Sequence, residues 1–275
     1  MGSSILTSRF ERGRGWRNLG ALPGADHSNF LEVPALTVSA SGHALAAWSS
    51  DTGEVWANSF DPQGGWGPPQ RLTLGASAGA WGVTAFVDAR AGGIVAWVEY
   101  DPSVEGSNVL YASLFDEVTG FSEAAALGPT AGAAIAASLG PSGRALVVYM
   151  TGSGLRRQRH VAGEGWQAPE PLEGVGGFDA VALDGAGDGW VLWSERDAAN
   201  AGVVTLRSRQ LADGRATGPV EQIAPPLSGL AWFCGTVMDA RGGLTAAWFQ
   251  SVPRPDGAAD RYSLVAGHYW STGQP

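Results

Sequence analysis

An aromatic residue that closes a short apolar run returns along the whole chain, at Trp48, Trp97, Tyr149, Trp193 and Trp248, with separations of 49, 52, 44 and 55 residues. Around each lies the same frame: one run, a turn glycine, a second run ending in the aromatic, a polar loop, a third run, and a Gly-Trp-like step into a fourth. The unit from Val33 to Gly75 shows the frame in full, with β-type runs at Ala35 to Ser39, Ala44 to Ser49 and Glu54 to Phe60 and a fourth run after Gly65-Trp66. Apolar and β-branched runs cut by turn residues are strands, and four of them in succession make an antiparallel meander. Repeated at a period near fifty, such meanders are the blades of a β-propeller.

Counting the marks sets the blade number. Five second-strand aromatics are matched by five outer-strand starts, at Gly15, Gly65, Gly120, Gly165 and the degenerate Gly214, where the aromatic is lost. The sequence therefore predicts one all-β domain over 1–275, a five-bladed propeller of four-stranded antiparallel blades at about 33–80, 81–132, 133–176, 177–229 and 230–275. Residues 5–20 match the end of a unit rather than its start, so the strand at Trp16 is expected to pair with the last blade and close it, leaving no open edge. One strand is then in excess, because Ile5 to Phe10 and Tyr262 to Trp270 both read as third strands; six blades is the alternative.

The formal charge is −9 and all 17 basic residues are arginine. A surface of that kind argues against nucleic acid and against an anionic membrane face as partners, and no apolar run approaches a membrane span. The single cysteine, Cys234, excludes an intramolecular disulfide and a thiolate metal cage, and its neighbours Trp232 and Phe233 read it as a small buried side chain. Met1 to Ser4 read as a tag remnant standing where an export signal would be.

Candidates for chemistry are few. His27, His43, His160 and His268 show no metal-ligand spacing and no calcium-loop pattern occurs, so no metal and no cofactor is expected. A glycosidase needs two facing carboxylates, and Asp88, Asp179, Asp184 and Asp239 are available; but Asp88, Asp184 and Asp239 hold the same place in their units, as a repeated turn cap would. Ser49 to Trp56 fits the pattern S-x-D-x-G-x-x-W, once only, and between second and third strands.

That pattern is the Asp box of sialidase-type propellers, and the units with G-x-A-L/V-x-x-W followed by G-W-x-x-P-x-x-L resemble the repeats of exported bacterial β-propellers related to sialidase-like and lectin-like proteins. The resemblance implies a bacterial, secreted or cell-surface protein. It implies no catalytic residue, because the Arg-Ile-Pro signature of a sialidase's first active-site arginine is missing and the box falls on a different hairpin from the family's.

The expected function is accordingly a monomeric, non-catalytic binding or interaction propeller whose ligand is a glycan or a protein outside the cell, with a glycoside hydrolase as the alternative. Fivefold equivalent sites are not expected, since the second-to-third-strand loops differ from unit to unit. One asymmetric site is expected at the channel mouth, where inner strands begin: Trp81 and Trp232 as its floor, with Phe178, Asp179 and Arg254 beside them. The opposing reading makes Trp81 and Trp232 plugs of the channel.

Overall fold

The structure is a computed structural model and describes the chain apart from residues 1–3, 27, 29–31, 75–78, 89, 102–107, 133–134, 141–142, 174–178, 185, 201, 230, 239–242, 253–260 and 270–275, and apart from the side chains of 228, 232–234, 237–238, 252, 261–263 and 268–269. The chain is all-β, a β-propeller of five antiparallel blades, and divides into two compact units, 1–143 and 144–275. No helix among the described residues is long and apolar enough to cross a membrane.

The first unit opens with a hairpin, Leu6–Glu11 against Gly15–Ala21. Blade 1 follows with Ala35–Val38, Ala44–Ser49, Val55–Asp61 and two short outer pieces, Gly65–Trp66 and Gln70–Arg71. Blade 2 has Ala80–Val87, Gly93–Tyr100, Asn108–Asp116, Gly120–Phe121 and Ala125–Pro129, and the unit ends with the first strand of blade 3, Ile135–Leu139. The second unit holds the rest of blade 3 (Ala145–Thr151, Gly154–Val161, Gly165–Trp166, Glu170–Pro171), blade 4 (Ala180–Leu183, Gly189–Arg196, Val203–Ala212, Arg215–Gln222, Leu227–Ser228) and the three strands of blade 5, Ala231–Met238, Leu244–Val252 and Arg261–Tyr269.

Second strands are apolar on both faces because both faces are covered. All six residues of Ala44–Ser49 and the first six of Gly93–Tyr100 are buried. The recurrent aromatics are all buried, each no more than 4% exposed, and three of them fill the wedge between blades as expected. Trp97 packs with Leu45, Ala47, Val55 and Ala57 of blade 1, and in the second unit Trp193 packs with Leu146 and Val148 of blade 3 and Trp248 with Leu192 and Leu206 of blade 4. Truncating such a ring leaves a cavity and costs about 3–5 kcal/mol. The third strand of blade 4, Val203–Ala212, alternates instead, because one face meets a thinner outer layer. That outer layer is broken in blade 1, where Pro68 and Pro69 offer no N–H to the ladder.

Among the described residues the strand at Trp16 does not pair with blade 5, contrary to the expectation from sequence. It pairs with Leu6–Glu11, in register from Phe10↔Trp16, as a two-stranded sheet, and blade 5 is a sheet of three strands without it. The physical reason is local: Leu6–Glu11 is itself a third strand, the turn closed by Arg14 N–H to Glu11 C=O spans four residues, and a loop that short costs far less entropy than one spanning the chain. The hairpin covers blade 1: Leu22 and Ala25 are buried against Trp48, and Trp66 Nε1 donates to Thr7 Oγ1 at 3.2 Å.

Candidate functional site

Blade 2 presents two ends, marked by the head and tail of its first strand. At the head, Trp81 is half-buried and lies opposite Val98, just before a register break that runs to Thr84. The octapeptide Ser49 to Trp56 abuts this end as a plain turn. Ser50 Oγ accepts from Glu54 N–H at 3.1 Å and lies 2.8 Å from Thr52 Oγ1; Arg71 pairs with Glu54 at 2.9 Å, and that hydrogen bond holds the Glu54 carboxyl below the usual carboxylate range. A Cβ on Gly53 would stand 2.9 Å from Gly79 Cα, so the glycine of the pattern serves close backbone approach.

Of the other residues expected at the mouth, Phe178 and Arg254 lie outside the described residues, as does Asp239, and the side chains of Trp232 and Cys234 are not described. Asp179 is exposed, but its Oδ2 accepts the Ser194 N–H at 2.5 Å and its own N–H goes to Leu192 C=O at 2.9 Å, which makes it an edge staple of blade 4. The long loop after Trp193 is likewise self-tied: Asp197 Oδ1 accepts from Ala199 and Asn200, and Glu195 pairs with Arg207 at 2.9 Å.

At the tail of the same strand the chain builds a cleft of about 320 Å³. Its walls are the Asp88 turn and the Asp116 turn of blade 2 and the end of Ile135–Leu139 with Gly140 and Gly143. Asp88 Oδ1 accepts from Arg90 N–H (2.8 Å) and Gly92 N–H (2.9 Å); Asp116 Oδ1 accepts from Val118 N–H (2.9 Å) and Thr119 N–H (3.2 Å). Each carboxylate spends one oxygen on its turn, and its Oδ2 accepts no hydrogen bond among the described residues. Arg90, Thr119 and Ser122 add polar groups, and Leu114, Phe115 and Leu139 supply the apolar backing, with Phe115 packed on Phe121 at 4.7 Å between ring centres.

The reading of repeated aspartates as turn caps holds where it is seen. Asp184 Oδ1 accepts from Ala186 and Asp188 just as Asp88 does from its own turn, and Asp61 caps its turn as Asp116 does. The combination is nevertheless singular. The residues opening the first-to-second and third-to-fourth-strand turns are Ser39 and Asp61 in blade 1, Asp88 and Asp116 in blade 2, Gly140 and Val161 in blade 3, and Asp184 and Ala212 in blade 4. Only blade 2 of these four offers a carboxylate from both. Sequence reasoning missed Arg90, Phe115, Thr119 and Ser122, although this doubled aspartate was a signal that could have found them.

The second unit carries a dense ionic cluster between blades 3 and 4. The buried Arg157 donates to Glu170 and, at 2.7 Å, to Asp213 C=O; Arg144 and Arg159 reach Asp213 at 3.2 and 3.1 Å. Arg157 first, with Arg159 and Arg215 behind it, holds the Glu170 carboxyl below its ordinary value.

No protein-family model matches the sequence, and no curated protein matches it. Among solved structures, the BP39L lectin of Burkholderia pseudomallei is similar over 94% of this chain and 76% of that one, at 14% identity and a TM-score of 0.56. AofleA of Arthrobotrys oligospora is similar over 98% and 76%, at 11% identity and 0.53. A fungal lectin, Aleuria aurantia lectin, with a six-bladed β-propeller fold and a fucose recognition mode, covers 99% and 89% at 13% identity and 0.48. At these identities the likeness is one of fold.

Proposed function

We propose that this propeller is a non-catalytic carbohydrate-binding module, monomeric and acting outside a bacterial cell, with one asymmetric site. The observation that carries the reading is the cleft at the tail of blade 2's first strand, where Asp88, Arg90, Asp116, Thr119 and Ser122 are set around an apolar wall. Sugar hydroxyls pair with such acceptors and donors while the C–H face of the ring lies on apolar side chains. The doubled aspartate of blade 2 supports one site rather than five. The fold likeness to the BP39L lectin supports the ligand class, and the resemblance of the repeats to exported propellers supports the location.

The Trp81 end is the other place a ligand can stack, roughly 23 Å away along the same strand at about 3.3 Å per residue. Catalysis is the weaker reading, because Asp88 and Asp116 are both committed as turn caps and each recurs in another blade, whereas a glycosidase needs an asymmetric acid and base.

A glycan array on the whole chain, with a panel of chromogenic glycosides, tests the class. Calorimetric titration of the best ligand then tests the place. Arg90→Ala and Asp88→Asn are expected to weaken binding by about 1.5–3 kcal/mol each, the worth of a hydrogen bond to a charged group, while Trp81→Ala leaves it intact. Loss of binding in Trp81→Ala with Arg90→Ala unaffected moves the site to the other end, and turnover of a glycoside overturns the non-catalytic reading.

A further inference from the structure

The turns of blades 1 and 2 bring together three side chains that lie far apart in sequence. His43 stands in the first-to-second-strand turn of blade 1, Asp61 ends its third strand, and Glu117 lies in the third-to-fourth-strand turn of blade 2. One ligand atom of each lies within 4.8 Å of the others. We propose that His43, Asp61 and Glu117 bind a divalent transition-metal ion, Zn2+ by their chemistry, which ties blade 1 to blade 2.

In a tetrahedral site with metal–ligand bonds of about 2.0–2.2 Å, neighbouring ligand atoms are about 3.3–3.6 Å apart. His43 Nε2 and Asp61 Oδ2 already stand at 3.4 Å, and His43 Nε2 and Glu117 Oε1 at 4.0 Å. Glu117 is the most exposed of the three, so a small rotation brings it in. The three groups border a cavity of about 30 Å³ floored by Phe60, Val87, Ala91 and Phe115. That volume is roughly one water's share of the liquid, enough for an ion but not for a larger ligand.

The surroundings prepare each ligand. Ser41 Oγ lies 3.0 Å from His43 Nδ1 and 2.8 Å from Ser39 Oγ, which in turn donates to His43 C=O. The tautomer that donates Nδ1–H to Ser41 turns an Nε2 lone pair toward the two carboxylates, the usual support for a metal-binding imidazole. Asp61 uses Oδ1 for the Gln63 and Gly64 N–H groups and keeps Oδ2 for the ion. One imidazole with two carboxylates suits zinc, with water as a fourth ligand, better than the all-oxygen cages of calcium.

The second unit fills the equivalent positions with a charged pair. At the place in blade 3 that His43 holds in blade 1 stands Arg144, one residue before the second strand, and at the place in blade 4 that Glu117 holds in blade 2 stands Asp213, one residue after the third strand. Those two form a 3.2 Å ion pair with a permanently charged guanidinium. At this corner, Arg9 of the N-terminal hairpin lies over the Phe60 ring at 5.4 Å and, among the described residues, makes no ion pair with Asp61 or Glu117. The Asp61 and Glu117 carboxylates meet at this corner, and a divalent ion compensates both.

The test is calorimetric titration of the chelator-treated 275-residue chain with ZnCl2 at pH 7, with Co2+ absorption as a second readout of tetrahedral coordination. One equivalent of zinc is expected, bound at least tenfold more weakly by Glu117→Gln and Asp61→Asn; the latter keeps an Oδ1 acceptor for its turn. His43→Arg, which copies blade 3, is expected to abolish zinc and cobalt binding while keeping the melting temperature of the metal-free protein. No saturable zinc binding, or saturable binding of equal strength in Glu117→Gln and His43→Arg, overturns the proposal and leaves the cluster as a contact between two turns.

Discussion

Trp97 donates its indole N–H to Glu99 Oε1 at 2.7 Å, two residues on along the same strand. Trp248 does the same with Gln250 at 3.4 Å. The wedge ring is thus apolar over its body and satisfied at its one polar atom, which is how a buried tryptophan avoids an unpaired donor. Blade 4 repeats the spacing, but Glu195 turns to Arg207 and the indole N–H of Trp193 is buried with no acceptor among the described residues. Glu99→Ala is therefore expected to cost about 1–3 kcal/mol, the penalty of a buried donor left unmade. Glu195→Ala, which breaks only an exposed ion pair, is expected to cost under about 1 kcal/mol. Denaturant midpoints of the two variants check the difference, and Glu99→Gln, which keeps an acceptor, should fall close to the native chain.

The hairpin at the start of the chain is a lid on blade 1 rather than a clasp on blade 5. Removing residues 1–26 uncovers Trp48 and leaves Trp66 without its Thr7 partner. The shortened chain is expected to melt several degrees lower and to scatter light at concentrations where the full chain is clear, as exposed apolar faces and edges do. Equal melting and solubility of the two chains would count against the lid.

Glycine at 189 is fixed by crowding. A Cβ there would stand 1.9 Å from the Ala182 carbonyl oxygen, which belongs to the paired first strand and cannot move without breaking the ladder. Gly189→Ala is expected to cost at least about 1–3 kcal/mol, as overpacking does. The same change at Gly132, where a Cβ meets nothing within 4 Å, is the control and should leave the midpoint nearly unchanged.

Acid should loosen the contact between blades 3 and 4. Arg157 and its neighbours lower the pKa of Glu170 from its ordinary value of 4.5. A carboxylate lowered in the folded state contributes stability that is full above the unfolded value and is lost as pH falls through the folded one. The stability difference between the native chain and Glu170→Gln is therefore expected to be largest at pH 6–7 and to shrink on the acid side of about pH 4.5. A difference that does not change across that range would show that Glu170 contributes by shape alone.

The sequence by itself determined the fold. Residues such as Trp48, Tyr149 and Trp248 could be counted because a blade cannot bury its own apolar faces, so the covering residues must recur at the blade period, and every recurrent residue leaves its mark in the text. It also determined that the repeated aspartates are caps, since Asp88 and Asp184 answer to the local demand of a turn. What only the tertiary structure decided is whatever depends on which blade lies beside which turn. Phe10 and Trp16 form the same cross-strand aromatic pair as Phe60 and Trp66, yet Phe60 is buried and Phe10 and Trp16 are exposed, because burial is set by the neighbour and not by the pair. His43, Asp61 and Glu117 carry no motif spacing, since three turns on two blades bring them together. The cleft at Asp88 and Asp116 likewise arises where two turns of one blade meet the first strand of the next, and distance in space, unlike period, is not written along a chain.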